Sequence, residues 1–132
     1  MDTMSDHVAT VRCTTTVAVA DARDTMREFL AALGPASVDP EAADTAVLVV
    51  SELVTNALRH GGGICTLRLT AHPGAIEVAV DDADPRPPRP RTPDLTGGTG
   101  GFGWHMVNDL ALVTAVIRRP GGGKTVSALL AR

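Results

Sequence analysis

The sequence predicts an α+β fold, a two-layer sandwich in which a mixed, mostly antiparallel sheet carries its helices on one face. Apolar residues recur with a helical period in two long consecutive stretches that no strand separates. They recur with period two in short stretches that follow one another in pairs across glycine-rich turns. Helices and strands therefore come in runs, the pattern of an α+β layer and not of a doubly wound parallel sheet. The chain has 132 residues, the size of one domain around one core, so residues 1–132 read as a single domain.

Taken in order, residues 1–8 are polar and are expected to fray. Val11, Cys13 and Thr15 alternate with polar neighbours and predict a first strand. Between residues 18 and 33, Ala22, Met26, Phe29, Leu30 and Leu33 fall on one side of a helix that Gly34-Pro35 stops. Asp39 can cap the next helix, Pro40 suits its first position, and Glu41 favours the positive end of the macrodipole. The spacing predicts that this helix runs from Pro40 to about His60, closed by Gly61-Gly62-Gly63. In the strand that follows, Ile64, Thr66, Arg68 and Thr70 face one way, and Cys65, Leu67, Leu69 and Ala71 the other. A turn at His72-Pro73-Gly74 leads to a strand over 75–80. Residues 83–103 carry Pro85, Pro87, Pro88, Pro90 and Pro93 and then a glycine cluster, the composition of a functional lid. A short helix over 104–110 and strands near 112–118 and 124–130, joined across Pro120-Gly121-Gly122-Gly123, complete the chain.

Composition excludes several classes. The net charge of −3 offers no field to steer nucleic acid, and an aromatic fraction of 2% leaves no platform on which bases could stack. No apolar run approaches the roughly 18 residues of a membrane-spanning helix, and the N-terminus lacks a charged start followed by an apolar stretch, so the expected location is cytoplasmic. Cys13 and Cys65 form no ligand pair, which predicts two free thiols in a reducing compartment. Lys124 is the only lysine among twelve Lys and Arg residues, which reads most simply as the bias of a GC-rich genome.

Three constellations carry chemistry. Glu52, Asn56 and His60 climb one stripe of the long helix at four-residue spacing, while Val50, Leu53, Val54 and Ala57 form the side that should bury. A carboxylate there can deprotonate a nucleophile. An amide oxygen one turn on can ligate Mg²⁺, a hard cation that prefers oxygen. Such a pair alone is also what an ordinary solvated helix face looks like. The second constellation is the loop from Gly97 to Gly103, which runs straight into a helix and so offers backbone N–H groups and a helix N-terminus to an anion. The third is Asp81-Asp82-Ala83-Asp84-Pro85 at a strand end, where a carboxylate can accept a hydrogen bond from an exocyclic amine or merely open an acidic turn.

Two look-alikes fail on context. Residues 98–103 satisfy G-x-G-x-x-G, yet follow a proline-rich loop instead of a strand. Gly123-Lys124-Thr125 imitates the end of a Walker A loop but feeds a strand, and Arg118 stands where the first glycine should. No nucleophilic triad is visible, and His7, His60, His72 and His105 match no metal spacing.

In this order the segments resemble the boxes of the GHKL superfamily of ATPases and kinases, which have the Bergerat fold. The stretch 51–60 looks like its N box, 76–82 like its G1 region, 100–107 like its G2 box and 123–126 like its closing glycine-threonine element. The short form is similar to bacterial anti-sigma-factor serine/threonine kinases and related ATP-binding regulators. The resemblance implies ATP and Mg²⁺ as ligands, with Glu52 as catalytic base and Asn56 as the Mg²⁺ ligand. It places Asp82 on adenine, Gly101 and Gly103 on the phosphates under a lid over 83–103, Trp104 in the cofactor-binding box and Thr125 near the base. It also implies protein partners, a sigma factor and a small antagonist phosphorylated on Ser or Thr, and a homodimer as in similar regulators. It implies neither direct nucleic-acid binding nor a membrane. One departure stands out: Asp84 and Arg86 occupy both glycine positions of the usual D-x-G-x-G. That favours an alternative, a nucleotide-gated or degenerate protein-binding module without phosphotransfer. A histidine-kinase catalytic half is disfavoured, since only 50 residues precede the N box and no dimerisation helix pair is expected among them.

Overall fold

The computed structural model describes residues 6–12, 16–34, 37–60, 64–86 and 103–132. Element order is β1 (Asp6–Arg12), α1 (Thr16–Leu33), α2 (Pro40–His60), β2 (Ile64–His72), β3 (Ala75–Asp82), α3 (Gly103–Leu110), β4 (Val113–Arg118) and β5 (Lys124–Ala131). The strands form one sheet in the order β1-β2-β3-β5-β4. All four pairings are antiparallel, so the parallel component expected of a mixed sheet is absent among the described residues. Connectivity accounts for two of the pairings: β2–β3 and β4–β5 are hairpins, which join only antiparallel strands.

Alternation decides which face is buried. Leu67 and Leu69 on β2, Ile76, Val78 and Val80 on β3, and Val126, Ala128 and Leu130 on β5 are all buried. They meet Ala46, Val49, Val50, Leu53, Val54 and Ala57 of α2, together with Ala22, Met26 and Phe29 of α1. Helix α2 lies over β2, β3 and β5, α1 packs on α2 and β1, and α3 fills the corner against α2, β4 and β5. The start of α2 is capped as its sequence predicts, with Asp39 Oδ2 accepting from the Glu41 N–H at 3.2 Å. Asn108 and Thr114 fasten α3 to β4: Thr114 Oγ1 donates to Asn108 Oδ1 at 2.6 Å.

Two expectations need correction at the N-terminal side. The first strand is Asp6–Arg12, so residues 6–8 are paired and not frayed, and it shares only Val11 and Arg12 with the expected strand, whose residues 13–15 lie outside the described residues. It pairs along β2 from Arg12↔Ile64 back to Asp6↔Thr70. A long partner strand sets that length, and the local pattern, poor in apolar residues, does not display it. Cys65 is disulfide-bonded, not a free thiol. The chain has one other cysteine, Cys13, which lies outside the described residues. Spacing along the sequence could not show this, whereas the ladder puts Val11 directly opposite Cys65.

Candidate functional site

Helix α2 presents Glu52 and Asn56 on the flank beside its buried stripe, and both are partly buried. Burial disfavours a charge, so the Glu52 carboxyl is pushed above its ordinary value of 4.5. The Asn56 amide is enclosed further: its Nδ2 has no exposed surface to speak of and no hydrogen-bond partner. An orphaned buried amide is costly, and such a group in a folded protein asks for a ligand atom or a water. The His60 side chain, third on the stripe, lies outside the described residues.

Gly103, the first residue of α3, closes on Glu52. A Cβ at Gly103 would stand 2.6 Å from Glu52 Oε2, so only glycine lets the helix N-terminus come this near the carboxylate. This is where the sequence-predicted glycine loop delivers its helix. Trp104 follows, partly buried against the core. Gly101 and the rest of the segment from 87 to 102, which includes most of the expected lid, lie outside the described residues.

The strand end supplies the third part. Asp82 is 5% exposed on the helix-facing side of β3, directly across the ladder from Lys124, which is 3% exposed. Lys124 Nζ donates to Asp82 Oδ1 at 3.0 Å and to the Asp84 carbonyl at 2.8 Å. Asp82 Oδ1 also accepts from the Asp84 N–H at 2.9 Å. Asp84 repeats this turn, accepting from the Arg86 N–H at 2.9 Å and from its guanidinium at 2.7 Å. These bonds to Arg86 hold the Asp84 carboxyl well below the usual carboxylate range. Thus the chain leaves β3 through two successive side-chain-capped turns, in place of the glycines that the G1 pattern would use. The β4–β5 turn presses on the same place: a Cβ at Gly123 would lie 2.1 Å from the Asp82 carbonyl, and Gly123 has φ +80°.

Asp81 points to the other side of the sheet. It accepts from Arg68 at 2.8 Å and from the Thr125 hydroxyl. The structure therefore brings Thr125 to Asp81, on the open face, and brings Lys124 to Asp82. A cavity of about 320 Å³ at this end is bounded by Thr66, Asp81, Asp82, Arg119 and Gly122, and neither Glu52 nor Asn56 lines it. Lys124 is the residue that sequence reasoning missed. The available signal was its pairing register: the only lysine, directly after the glycine turn, sits opposite a strand-end aspartate.

The family model described as a histidine kinase-like ATPase domain matches residues 14–129. No curated protein matches the chain in sequence. Thirteen solved chains match it in structure. Among them is the crystal structure of the RsbU and RsbW domains of Rv1364c from Mycobacterium tuberculosis, at TM-score 0.66 and 22% identity, covering 96% of this chain and 32% of that one. The chain thus spans about a third of that protein's length, and the likeness is one of fold.

Proposed function

Because the chain belongs to the histidine kinase-like ATPase family, we propose that it binds ATP with Mg²⁺ and acts as a regulator of the anti-sigma-factor serine/threonine kinase type. In this reading it phosphorylates a Ser or Thr of a small antagonist protein and binds a sigma factor or similar target, as a cytoplasmic homodimer. The observation that carries it is the unpartnered, enclosed amide of Asn56 one helical turn from the partly buried Glu52. A side-chain amide turned by 180° offers oxygen where it offered nitrogen, so this group suits either Mg²⁺ or a phosphate oxygen. Among the described residues no three acidic, His or Cys side chains gather to hold a metal ion. That fits a cation held by one or two protein oxygens with nucleotide phosphates completing its shell. Mg²⁺ so bound would neutralise phosphate charge and orient the nucleotide.

The chain's own residues do the rest. Glu52, with its raised affinity for a proton, takes the proton from the attacking hydroxyl. The α3 N-terminus, admitted to the carboxylate by Gly103, directs N–H groups at phosphate oxygens, with Gly101 and Trp104 beside it. Asp82 accepts from the adenine amino group, whereas Thr125, bonded to Asp81 on the opposite face of the sheet, stands apart from that contact. Residues 83–103 would close over the nucleotide. No helix among the described residues is long and apolar enough to cross a membrane.

A second reading, a nucleotide-gated protein-binding module without phosphotransfer, is favoured by one observation. Asp84 and Arg86 stand at the two glycine positions of the G1 pattern and are engaged with each other at 2.7 Å. Titration calorimetry with and without Mg²⁺ tests nucleotide binding: wild type should bind ATP with Mg²⁺ and Asn56→Ala should bind it at least about 10-fold more weakly. Equal affinities would remove Asn56 from the site. Radiolabelled ATP with candidate antagonists then separates kinase from module, since the module transfers nothing.

A further inference from the structure

We propose that Lys124 is a positioning residue that sets base selectivity, by occupying one oxygen of Asp82 so that only an adenine-type edge can pair with the other. This rests on the reading of Asp82 as the base-binding carboxylate. Each carboxylate oxygen has two lone pairs. On Oδ1 both are used, one by the Asp84 N–H at 2.9 Å and one by Lys124 Nζ at 3.0 Å. Among the described residues Oδ2 receives no donor. The carboxylate therefore presents one working acceptor atom to a ligand.

Adenine needs only one, because its amino group is the single donor on that edge. Guanine presents two adjacent donors, its ring N–H and its amino group, and pairs best with a carboxylate that accepts with both oxygens. With Oδ1 filled, the second guanine donor is buried without a partner, which is penalised more than a missing bond. Lys124 is well placed to enforce this. It is 3% exposed, sits directly across the β3–β5 ladder, and is tied to the Asp84 carbonyl at 2.8 Å, so it cannot swing away without breaking two bonds. Its two bonds span the point where β3 ends, so it fixes the carboxylate's rotation as well as its occupancy.

The test measures ATP and GTP affinities of the full chain by calorimetry for the wild type, Lys124→Met, Lys124→Arg and Asp82→Asn. Lys124→Met frees a lone pair on Oδ1, so its ATP-over-GTP ratio should fall by about 10-fold or more. Lys124→Arg, which still donates to Oδ1, should keep most of the wild-type ratio. A ratio is used because a merely structural lysine would weaken both nucleotides together and leave it unchanged. Since Lys124→Met leaves a buried carboxylate unpaired, the double variant Asp82→Asn/Lys124→Met serves as the folded, charge-neutral control. It should show the same loss of preference as Asp82→Asn alone. A Lys124→Met ratio equal to or above the wild-type ratio overturns the proposal. If that happens while Asp82→Asn still weakens ATP, the reading of Asp82 survives and only Lys124 is excluded. Equal nucleotide binding by wild type and Asp82→Asn overturns both.

Discussion

Half-burying a carboxylate makes its charge more costly, and at Glu52 the consequence has a definite sign. The Glu52 carboxyl holds its proton above the ordinary value of 4.5. The folded state therefore binds more protons than the unfolded chain in the window just above that value. Stability from the neutral form is complete below it and is lost as pH rises through the raised value. Glu52→Gln, always neutral, should melt at a higher temperature than wild type near pH 7 and at nearly the same temperature below about pH 4. Differential scanning calorimetry across pH reads this. A variant that melts lower at neutral pH would show that the charge is stabilised after all. In transfer assays the same variant should lose about 10²–10⁴-fold in rate with ATP affinity nearly kept. At this scale the sequence was informative where a residue's placement depends on helical spacing, as for Glu52 and Asn56 on one flank of α2. It was uninformative where the role depends on cross-strand register. Lys124 and Thr125 are neighbours in sequence, yet they serve Asp82 and Asp81 on opposite faces of the sheet.

Between elements, the closest approach in the candidate site is that of α3 to α2 at Gly103. The atom in the way of a Cβ there is Glu52 Oε2, the free end of a flexible side chain, at 2.6 Å. Gly103→Ala should therefore displace the carboxylate and not the helix. Phosphotransfer is expected to fall by about 10²-fold, the cost of misplacing a reacting group by an ångström, while thermal melting shifts little. A large loss of melting temperature with intact transfer would mean that the backbone moved instead. Element identity was legible throughout, because caps and periods are local: Asp39, Pro40 and Glu41 mark the first turn of α2, and the alternation in β2 and β3 names their buried faces. Two features were not legible. β1 takes its length from the strand it pairs with, and the polar exit from β3 is held by side-chain bonds from Asp82 and Asp84 that the D-x-G-x-G template does not contain.

For the molecule as a whole, the disulfide at Cys65 makes stability depend on redox conditions. A disulfide commonly contributes about 2–4 kcal/mol. Dithiothreitol should lower the melting temperature of wild type by several degrees and leave Cys65→Ser unaffected. Equal melting with and without reductant would show that the bond adds nothing in solution. The sheet order has a different consequence, for synthesis. Strand β3 receives its second neighbour, β5 (Lys124–Ala131), only after α3 and β4 have been made. While the ribosome is still making the C-terminal part, β1, β2 and β3 can pair, but one edge of β3 waits bare. A bare edge recruits other chains unless charge blunts it. Asp81 and Asp82 put two carboxylates at the end of that edge, the kind of charge that blunts an unpaired strand.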